Sequence, residues 1–168
     1  MVFEFTCKSC GKVHRGMPHF GTDAPASYDN IPREERAKRC TLGTDDCVID
    51  GKWFFVRGNI VIPVHGEQEA FSWGVWVSLS AQSFKQWKES FLLEPRAHIG
   101  PFFGWLNSRL PSYPNTLSLK THVHLKDCGV RPFIELEPTD HPLAVEQRGG
   151  ISIERVAEIY AKVMHPGD

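Results

Sequence analysis

The sequence predicts an α+β fold with an antiparallel β-sheet core, flanking helices and an N-terminal arm that resembles a zinc knuckle. Three observations predict this class: alternating apolar and polar residues in the middle of the chain, helical periodicity on either side, and the CxxC spacing of Cys7 and Cys10. The length of 168 residues suits one domain with one core. The predicted parts of this single domain (1–168) are the arm (1–20), the sheet core (45–137) and a C-terminal helix (151–165).

The first third of the chain is predicted to be short of regular structure. Residues 1–14 should form a strand or extended arm that leads into the knuckle, and residues 15–31 should be loop because they are rich in Gly, Pro and Asp. The sequence PREERAKRC then predicts a short helix, since Pro32 suits a first turn and Glu34 and Lys38 form an i,i+4 pair. This helix has almost no apolar stripe and is therefore expected at the surface.

Strands and a hairpin are predicted next. Asp50-Gly51 is a two-residue turn signal between the apolar runs 47–49 and 53–56, and Gly58 indicates a bulge. The segment AFSWGVWVSLS alternates and predicts a strand that is covered on one face. The residues expected on the covered face are Phe71, Trp73, Val75, Val77 and Leu79.

The second half of the chain mixes helices with a long loop. Phe84, Trp87 and Phe91 have helical spacing, and Ser80 can cap that helix. Residues 95–118 predict a long ordered loop with one helical turn near Trp105–Arg109. In the C-terminal helix, Ser152 can serve as the cap of an amphipathic segment.

Charge and hydropathy exclude several classes of partner. Lys plus Arg is 19 and Asp plus Glu is 20, so the net charge of -1 gives no bulk attraction to nucleic acid or anionic membranes. No apolar run approaches the ~18 residues of a membrane helix, and the first residues lack the apolar region of a signal peptide. We therefore expect a cytoplasmic protein whose cysteines are reduced. No nucleic-acid or membrane partner is expected, and a small-molecule or protein ligand stays open.

A metal site is predicted at the N-terminus. Cys7 and Cys10 have knuckle spacing, and Gly11 supplies the backbone freedom that such a turn needs, but the chain has no second CxxC. The residues considered for completing the site are His14, His19, Cys40 and Cys47; Cys128 lies too far along the chain. The predicted cofactor is a structural zinc ion, and the predicted ligands are Cys7, Cys10, His14 and Cys47. Free thiols are the alternative. A redox CxxC is disfavoured because no helix begins after Cys10.

A second candidate lies on a predicted hairpin. If residues 121–125 pair with residues 132–136, Val123 lies opposite Ile134 and His122 lies opposite Glu135. One face then carries Lys120, His122, His124, Phe133, Glu135 and Glu137. Such a face can hold a metal or perform acid–base chemistry, but cross-strand ion pairs on a solvated surface are the favoured interpretation.

Three further features of the sequence are candidates for a functional role: a histidine, an arginine and a group of aromatic residues. His141 follows an aspartate and precedes Pro142, so it is either a functional imidazole or a turn histidine. Arg57 interrupts an apolar strand, where it can snorkel, pair with a buried acid or bind an anion; pairing is favoured. Aromatic residues can line a pocket, although core packing is the ordinary explanation for them. These aromatic residues are Trp73, Trp76, Phe102, Phe103, Trp105 and Tyr113.

Five long segments carry a resemblance to a known family. They are FTCKSCGKVHRGMP, DDCVIDGKWFFVRGNIVIPV, FSWGVWVSLS, GPFFGWLNSRLPSYPNTLSLKTHVH and RPFIELEPTDHPLAVEQRGGI. In this order they resemble the bacterial family called domain of unknown function 2199, over about Phe5 to Ile159. The resemblance implies a stand-alone cytosolic bacterial protein, and it supplies no catalytic residues.

Two functional hypotheses follow. The first is a small binding or regulatory module that a structural zinc ion stabilises, which agrees with the knuckle and with the lack of a nucleophile motif such as G-x-S-x-G. The alternative is a metal-dependent, hydrolase-like enzyme that uses His122, His124 and Glu135.

Overall fold

The structure is a computed structural model and describes residues 2–168. Strands and helices alternate irregularly along the chain. In chain order they are β1 (Glu4–Thr6), β2 (Val13–Arg15), β3 (His19–Gly21), α1 (Ala26–Asp29), α2 (Arg33–Arg39), β4 (Cys40–Leu42), β5 (Asp46–Ile49), β6 (Trp53–Ile62), β7 (Phe71–Leu79), α3 (Ala81–Ser90), β8 (Phe102–Leu106), β9 (Lys120–His124), β10 (Phe133–Leu136), α4 (Pro142–Gly149) and α5 (Ile153–Met164).

Five consecutive strands, β6 to β10, close into a barrel. Each strand pairs antiparallel with the next, and β10 returns to pair with β6, with Phe133 opposite Asn59. A meander with an odd number of strands ends in the direction in which it began, so this closing pair has to be parallel. The fold is therefore α+β as predicted, but the prediction of a simple antiparallel sheet is wrong.

Strand β6 is long enough to pair with two different strands along the same edge. Its first half, Trp53 to Val56, pairs antiparallel with β5, while Asn59 in its second half pairs with β10. Beyond β5, strand β4 extends the sheet, and β3 adds a parallel strand to β7. A separate two-stranded hairpin, β1–β2, forms the N-terminal arm.

The predicted hairpin turn is confirmed, and the predicted bulge is wrong. Asp50 and Gly51 have φ of 54° and 60°, the left-handed region that such a turn needs. The β6–β7 register runs through Gly58 opposite Val75 without interruption. A Cβ at Gly58 would lie 2.8 Å from the carbonyl oxygen of Pro132, so the glycine permits β10 to approach β6 closely.

The helical turn predicted near Trp105–Arg109 is wrong, because Phe102–Leu106 form strand β8. Phe102 and Leu106 are buried, whereas Phe103 and Trp105 are exposed on the other face. Alternation was hidden because both faces of the strand carry large apolar side chains. The predicted loop 15–31 likewise contains β3 and α1.

The core lies inside the barrel and beneath the longer helices. All five residues predicted for the covered face of β7 are buried, and helices α3, α4 and α5 contribute Trp87, Leu143 and Ile159 to the same cluster. Trp76, on the opposite face of β7, is also buried, in a second cluster with Cys47 and Phe55. No helix formed by residues 2–168 is long and apolar enough to cross a membrane.

A substitution at Gly104, in strand β8, can test the packing of the barrel wall. A Cβ there would meet Val77 and would lie 2.6 Å from the carbonyl oxygen of Ser78, so Gly104→Ala should lower the free energy of unfolding by about 1–3 kcal/mol. Gly149→Ala is the control: nothing lies within 4 Å of its Cβ position, and alanine favours helix by up to about 1 kcal/mol. Urea unfolding measures both. Equal stability of the two variants would contradict the packing described for β8.

Candidate metal centre

The N-terminal hairpin forms a knuckle. Strands β1 and β2 pair with Thr6 opposite Val13, and the turn between them contains Cys7 and Cys10. The Cys7 N–H donates to the carbonyl oxygen of Lys12 (2.9 Å), and the Gly11 N–H donates to the carbonyl oxygen of Cys7 (3.0 Å). Gly11 has φ of 70°, a conformation that glycine adopts without strain. This turn aims both cysteine side chains to one side.

Three metal-ligating groups meet at this turn. The sulfur atoms of Cys7 and Cys10 and a ring nitrogen of His165 all lie within 4.8 Å of one another. We call these three residues the metal centre; they can hold a metal ion. His165 directly follows α5, and its N–H donates to the carbonyl oxygen of Ala161 (2.8 Å). Helix α5 packs against the arm, so it carries His165 to the knuckle.

His14 lies beside this group. Its Nε2 is 3.6 Å from the Cys10 sulfur, and its Nδ1 is 3.3 Å from the Tyr160 hydroxyl. The imidazole also packs on the Tyr160 ring, with centroids 4.4 Å apart. His14 is not within 4.8 Å of all three groups of the metal centre. It therefore touches one member of the centre and is held in place by helix α5.

The local backbone favours the thiolate form of Cys7. Burial of this side chain, which is 1% exposed, raises its pKa. Hydrogen bonds to the sulfur from the backbone N–H groups of Cys10 and Ser9, with a contribution from the Cys10 thiol, outweigh burial and leave the pKa below the usual value for cysteine. A thiolate is the form of cysteine that binds metal.

The other cysteines lie elsewhere. Cys47 points into the second core cluster beside Ile49 and Phe55, where burial raises the pKa of its thiol to about 12. Burial also raises the pKa of Cys40, on the neighbouring strand β4. Cys128 is exposed in the loop between β9 and β10. None of these three thiols belongs to the metal centre. His19, considered as a ligand from the sequence, has its Nδ1 2.8 Å from the Ser72 hydroxyl.

The predicted hairpin register of the polar face is confirmed. His122 lies opposite Glu135, and Val123 lies opposite Ile134. The side chains pair diagonally: His122 Nε2 is 3.2 Å from Glu137 Oε1, and His124 Nε2 is 3.1 Å from Glu135 Oε1. These half-exposed pairs match the favoured interpretation of a solvated face. Within residues 2–168, no group of three metal-ligating side chains includes any of them.

His141 forms the N-terminal cap of helix α4. Its Nδ1 accepts a hydrogen bond from the Leu143 N–H (3.1 Å), so Nε2 carries the proton and donates to the carbonyl oxygen of Asn115 (3.0 Å). Both ring nitrogens are thus used to fix the backbone. This arrangement is that of a turn histidine.

Arg57 lies on the outer face of β6 with weak partners. Its Nη1 donates to the carbonyl oxygen of Thr44 at 3.5 Å, and the nearest carboxylate, on exposed Asp23, is 3.9 Å away. The guanidinium lies 5.7 Å from the centroid of the Trp76 ring. Among the described residues its buried Nε has no partner. Stacking on the indole therefore positions this side chain more than ion pairing does.

Sequence reasoning did not single out His165, which the structure brings to the two thiols. The available signal was its position directly after the amphipathic C-terminal helix, in the sequence MHPGD. A helix that packs its apolar face on the N-terminal arm carries its final residues towards the knuckle. Nothing in the spacing of the sequence specifies that contact.

Comparison with known proteins identifies a family for this chain. Residues 6–151 match the family described as an uncharacterized protein conserved in bacteria (DUF2199). The matched span contains Cys7, Cys10 and His14 and ends before His165. No curated protein matches the chain, and no solved structure does.

The role of His141 can be tested by substitution. Loss of the side-chain acceptor in His141→Ala should lower the free energy of unfolding by about 1 kcal/mol, while His141→Asn should retain part of it, because asparagine is a good helix cap. Urea unfolding gives the stabilities, and elemental analysis gives the metal content. Metal loss in either variant would contradict a purely capping role.

Proposed function

The chain belongs to the bacterial family DUF2199, and from that premise we propose that it is a small binding or regulatory module with a structural zinc ion. The observation that carries the proposal is the meeting of Cys7, Cys10 and His165 within 4.8 Å. The five free cysteines are consistent with a reducing compartment, in which the thiols would stay available to a metal.

Zinc suits this donor set best. Two thiolates and imidazole nitrogen are ligands that zinc accepts in structural sites, and the Cys7 thiol is biased towards the thiolate. Donors around a tetrahedral zinc ion lie about 3.3–3.8 Å apart, given its bond lengths to sulfur and nitrogen. The distance of 3.6 Å between Cys10 Sγ and His14 Nε2 already lies within this range of donor–donor distances.

We assign His14 as the fourth ligand. A small movement of its ring brings Nε2 towards the other donors while Nδ1 donates to the Tyr160 hydroxyl, which would fix the ring orientation. Four protein ligands close a zinc site against water, and closed sites are structural. Cys47, expected as a ligand from the sequence, is replaced by His165 in this proposal.

The site would fasten the two ends of the fold together. The knuckle belongs to the N-terminal arm, and His165 belongs to the end of α5. Without a metal, these parts are joined by aromatic contacts, such as Phe5 with Tyr160 (5.0 Å between centroids), and by the exposed ion pair of Lys8 with Glu158. An exposed ion pair contributes at most about 1 kcal/mol. A bound ion would therefore be the strongest link at this point.

The alternative of a metal-dependent hydrolase on the polar face gains no support from the described residues. Each imidazole there pairs with its own carboxylate, and neither pair has a third ligand group nearby. The binding-module proposal therefore stands ahead of the enzyme.

Metal analysis of matched cysteine variants tests the assignment. Protein purified without chelator should contain about one zinc per chain, and Cys10→Ser, Cys7→Ser and His165→Ala should each lose most of it. The controls are Cys128→Ser, which alters another exposed cysteine, and His124→Ala, which alters a half-exposed histidine. Zinc loss in His124→Ala, or full retention in Cys10→Ser, would refute the proposed ligand set.

Metal removal should destabilise the protein. At free zinc of 1,000 times the dissociation constant, binding contributes about 4 kcal/mol, which corresponds to a fall in Tm of roughly 8–16 °C on chelation. Calorimetry with and without a zinc chelator measures this change. Cys10→Ser should show no response to the chelator. An unchanged Tm for the wild-type protein, once its zinc is shown to be gone, would argue against a structural role.

A further inference from the structure

A cavity of about 650 Å³ lies on the outer face of the barrel. It shares no residue with the metal centre, and its volume falls within the range of about 300–1,000 Å³ that is usual for small-molecule sites. Helix α1, the end of α2 and the outer surface of β5 to β8 enclose it. The lining residues used below are Ser27, Asn30, Arg39, Asp50, Trp53, Phe55, Ser78, Trp105, Asn107 and Ser118.

The floor of the cavity is a flat part of the sheet. Phe55, Ser78 and Trp105 form one row across three neighbouring strands, and Trp53 lies two residues away along β6. With ordinary strand spacing and rise, the Cα atoms of Trp53 and Trp105 are roughly 12 Å apart. An elongated ligand of two or more rings fits a floor of this length.

The two floor tryptophans differ from the others in the chain. Trp53 is 54% exposed and Trp105 is 44% exposed, whereas Trp73, Trp76 and Trp87 are all buried. Indole faces are the largest apolar surfaces that a side chain offers, and exposing them to water is unfavourable. Both exposed tryptophans line this one cavity. Their position is therefore explained by a ligand that packs flat on aromatic rings.

The walls of the cavity carry neutral hydrogen-bonding groups. Asn107 accepts a hydrogen bond from the Ser27 N–H at 2.9 Å through Oδ1, and among residues 2–168 its amide nitrogen has no partner. Asn30, Ser27 and Ser118, which carry an amide and two hydroxyl groups, also line the cavity. Groups that both donate and accept match vicinal hydroxyls, which do the same.

The charged residues of the lining neutralise each other. Arg39 binds both carboxylate oxygens of Asp50, each at 2.9 Å, and also Glu35 at 3.2 Å. Two further cations lie beside the cavity: the Lys52 and Lys120 ammonium groups lie over the Trp53 and Trp105 rings, 5.0 and 6.0 Å from the ring centroids. Because the one cation that lines the cavity is already paired, a neutral ligand is favoured over an anionic one. A second lining carboxylate, as glycoside hydrolysis would require, is not present among residues 2–168. The site is therefore suited to binding.

The backbone is strained at the rim of the cavity. Ser118 has φ of 67°, a left-handed conformation that is unfavourable by roughly 1–2 kcal/mol for a residue with a side chain. Its N–H donates to the carbonyl oxygen of Leu106 at 2.7 Å, which holds it there. Strain of this kind concentrates at ligand sites.

We propose that this cavity binds a neutral oligosaccharide, with one sugar ring packed on each exposed indole. The apolar C–H face of a pyranose ring packs against Trp53 and Trp105, and its hydroxyls bond to the amide and hydroxyl groups of the walls. The proposal does not depend on zinc, because the two sites have no residue in common.

Isothermal titration of the full-length protein with three neutral trisaccharides tests this proposal. The probes are cellotriose, maltotriose and triacetylchitotriose, each up to about 10 mM, which covers weak millimolar binding. At least one should bind, and Trp53→Ala and Trp105→Ala should each weaken it by roughly three- to tenfold, the effect of losing one aromatic contact. Phe91→Ala, which removes an aromatic residue outside the cavity with the same 44% exposure as Trp105, should leave affinity unchanged.

Three outcomes would overturn the proposal. These are no binding of any trisaccharide, binding that both tryptophan variants leave unchanged, and binding of adenosine in place of the saccharides with the same dependence on the tryptophans. The last outcome would assign the cavity to a heteroaromatic ligand. Both alanine substitutions remove exposed side chains, so the variants should fold, and circular dichroism checks that they do. Trp53→Phe and Trp105→Phe keep an aromatic ring at each position and serve as conservative controls.

Discussion

The parallel pairing of β10 with β6 is the constraint on which the rest of the structure depends. It closes an odd-numbered meander, and it places Ile134 close against Gly58, where any side chain would collide. Closure seals an interior in which Val56 and Ile60 are fully buried. Hydrophobic burial then stabilises the barrel, because closing the sheet leaves these strands without an open edge.

The same closure creates the outer surface that carries the cavity. The pairing with β10 uses only the second half of β6. The first half of β6 therefore pairs with β5, and β4 pairs with the other edge of β5. This extension provides the outer cluster around Trp76 and Cys47 and the neighbouring floor with Trp53 and Trp105. Phe55 and Trp53 lie on the same face of β6, but Phe55 is buried in this cluster and Trp53 is exposed on the floor. Tyr28 of α1 and Ile31 pack on the cluster and do not extend over Trp53.

The metal centre depends on a second long-range contact, between the N-terminal arm and α5. Phe5, His14 and Tyr160 pack together and bring the knuckle to the end of the helix. These contacts align His165 with Cys7 before any ion is present, so little reorganisation would be needed for binding. A centre that joins the two ends of the fold would add its binding energy to the stability of the whole chain.

The sequence by itself determined the local features: the α+β class, the β5–β6 turn at Asp50-Gly51, the β9–β10 register, the helices α2, α3 and α5, and the paired thiols of the knuckle. Each of these depends on residues close in sequence, whose periodicity and turn chemistry are visible there. Barrel closure, strand β8 and the position of His165 were decided only by the tertiary structure. Gly58 was taken for a bulge because Ile134, the side chain that packs against it, comes from a distant segment. Contacts between such segments are set by the packing of whole faces, which no local spacing encodes.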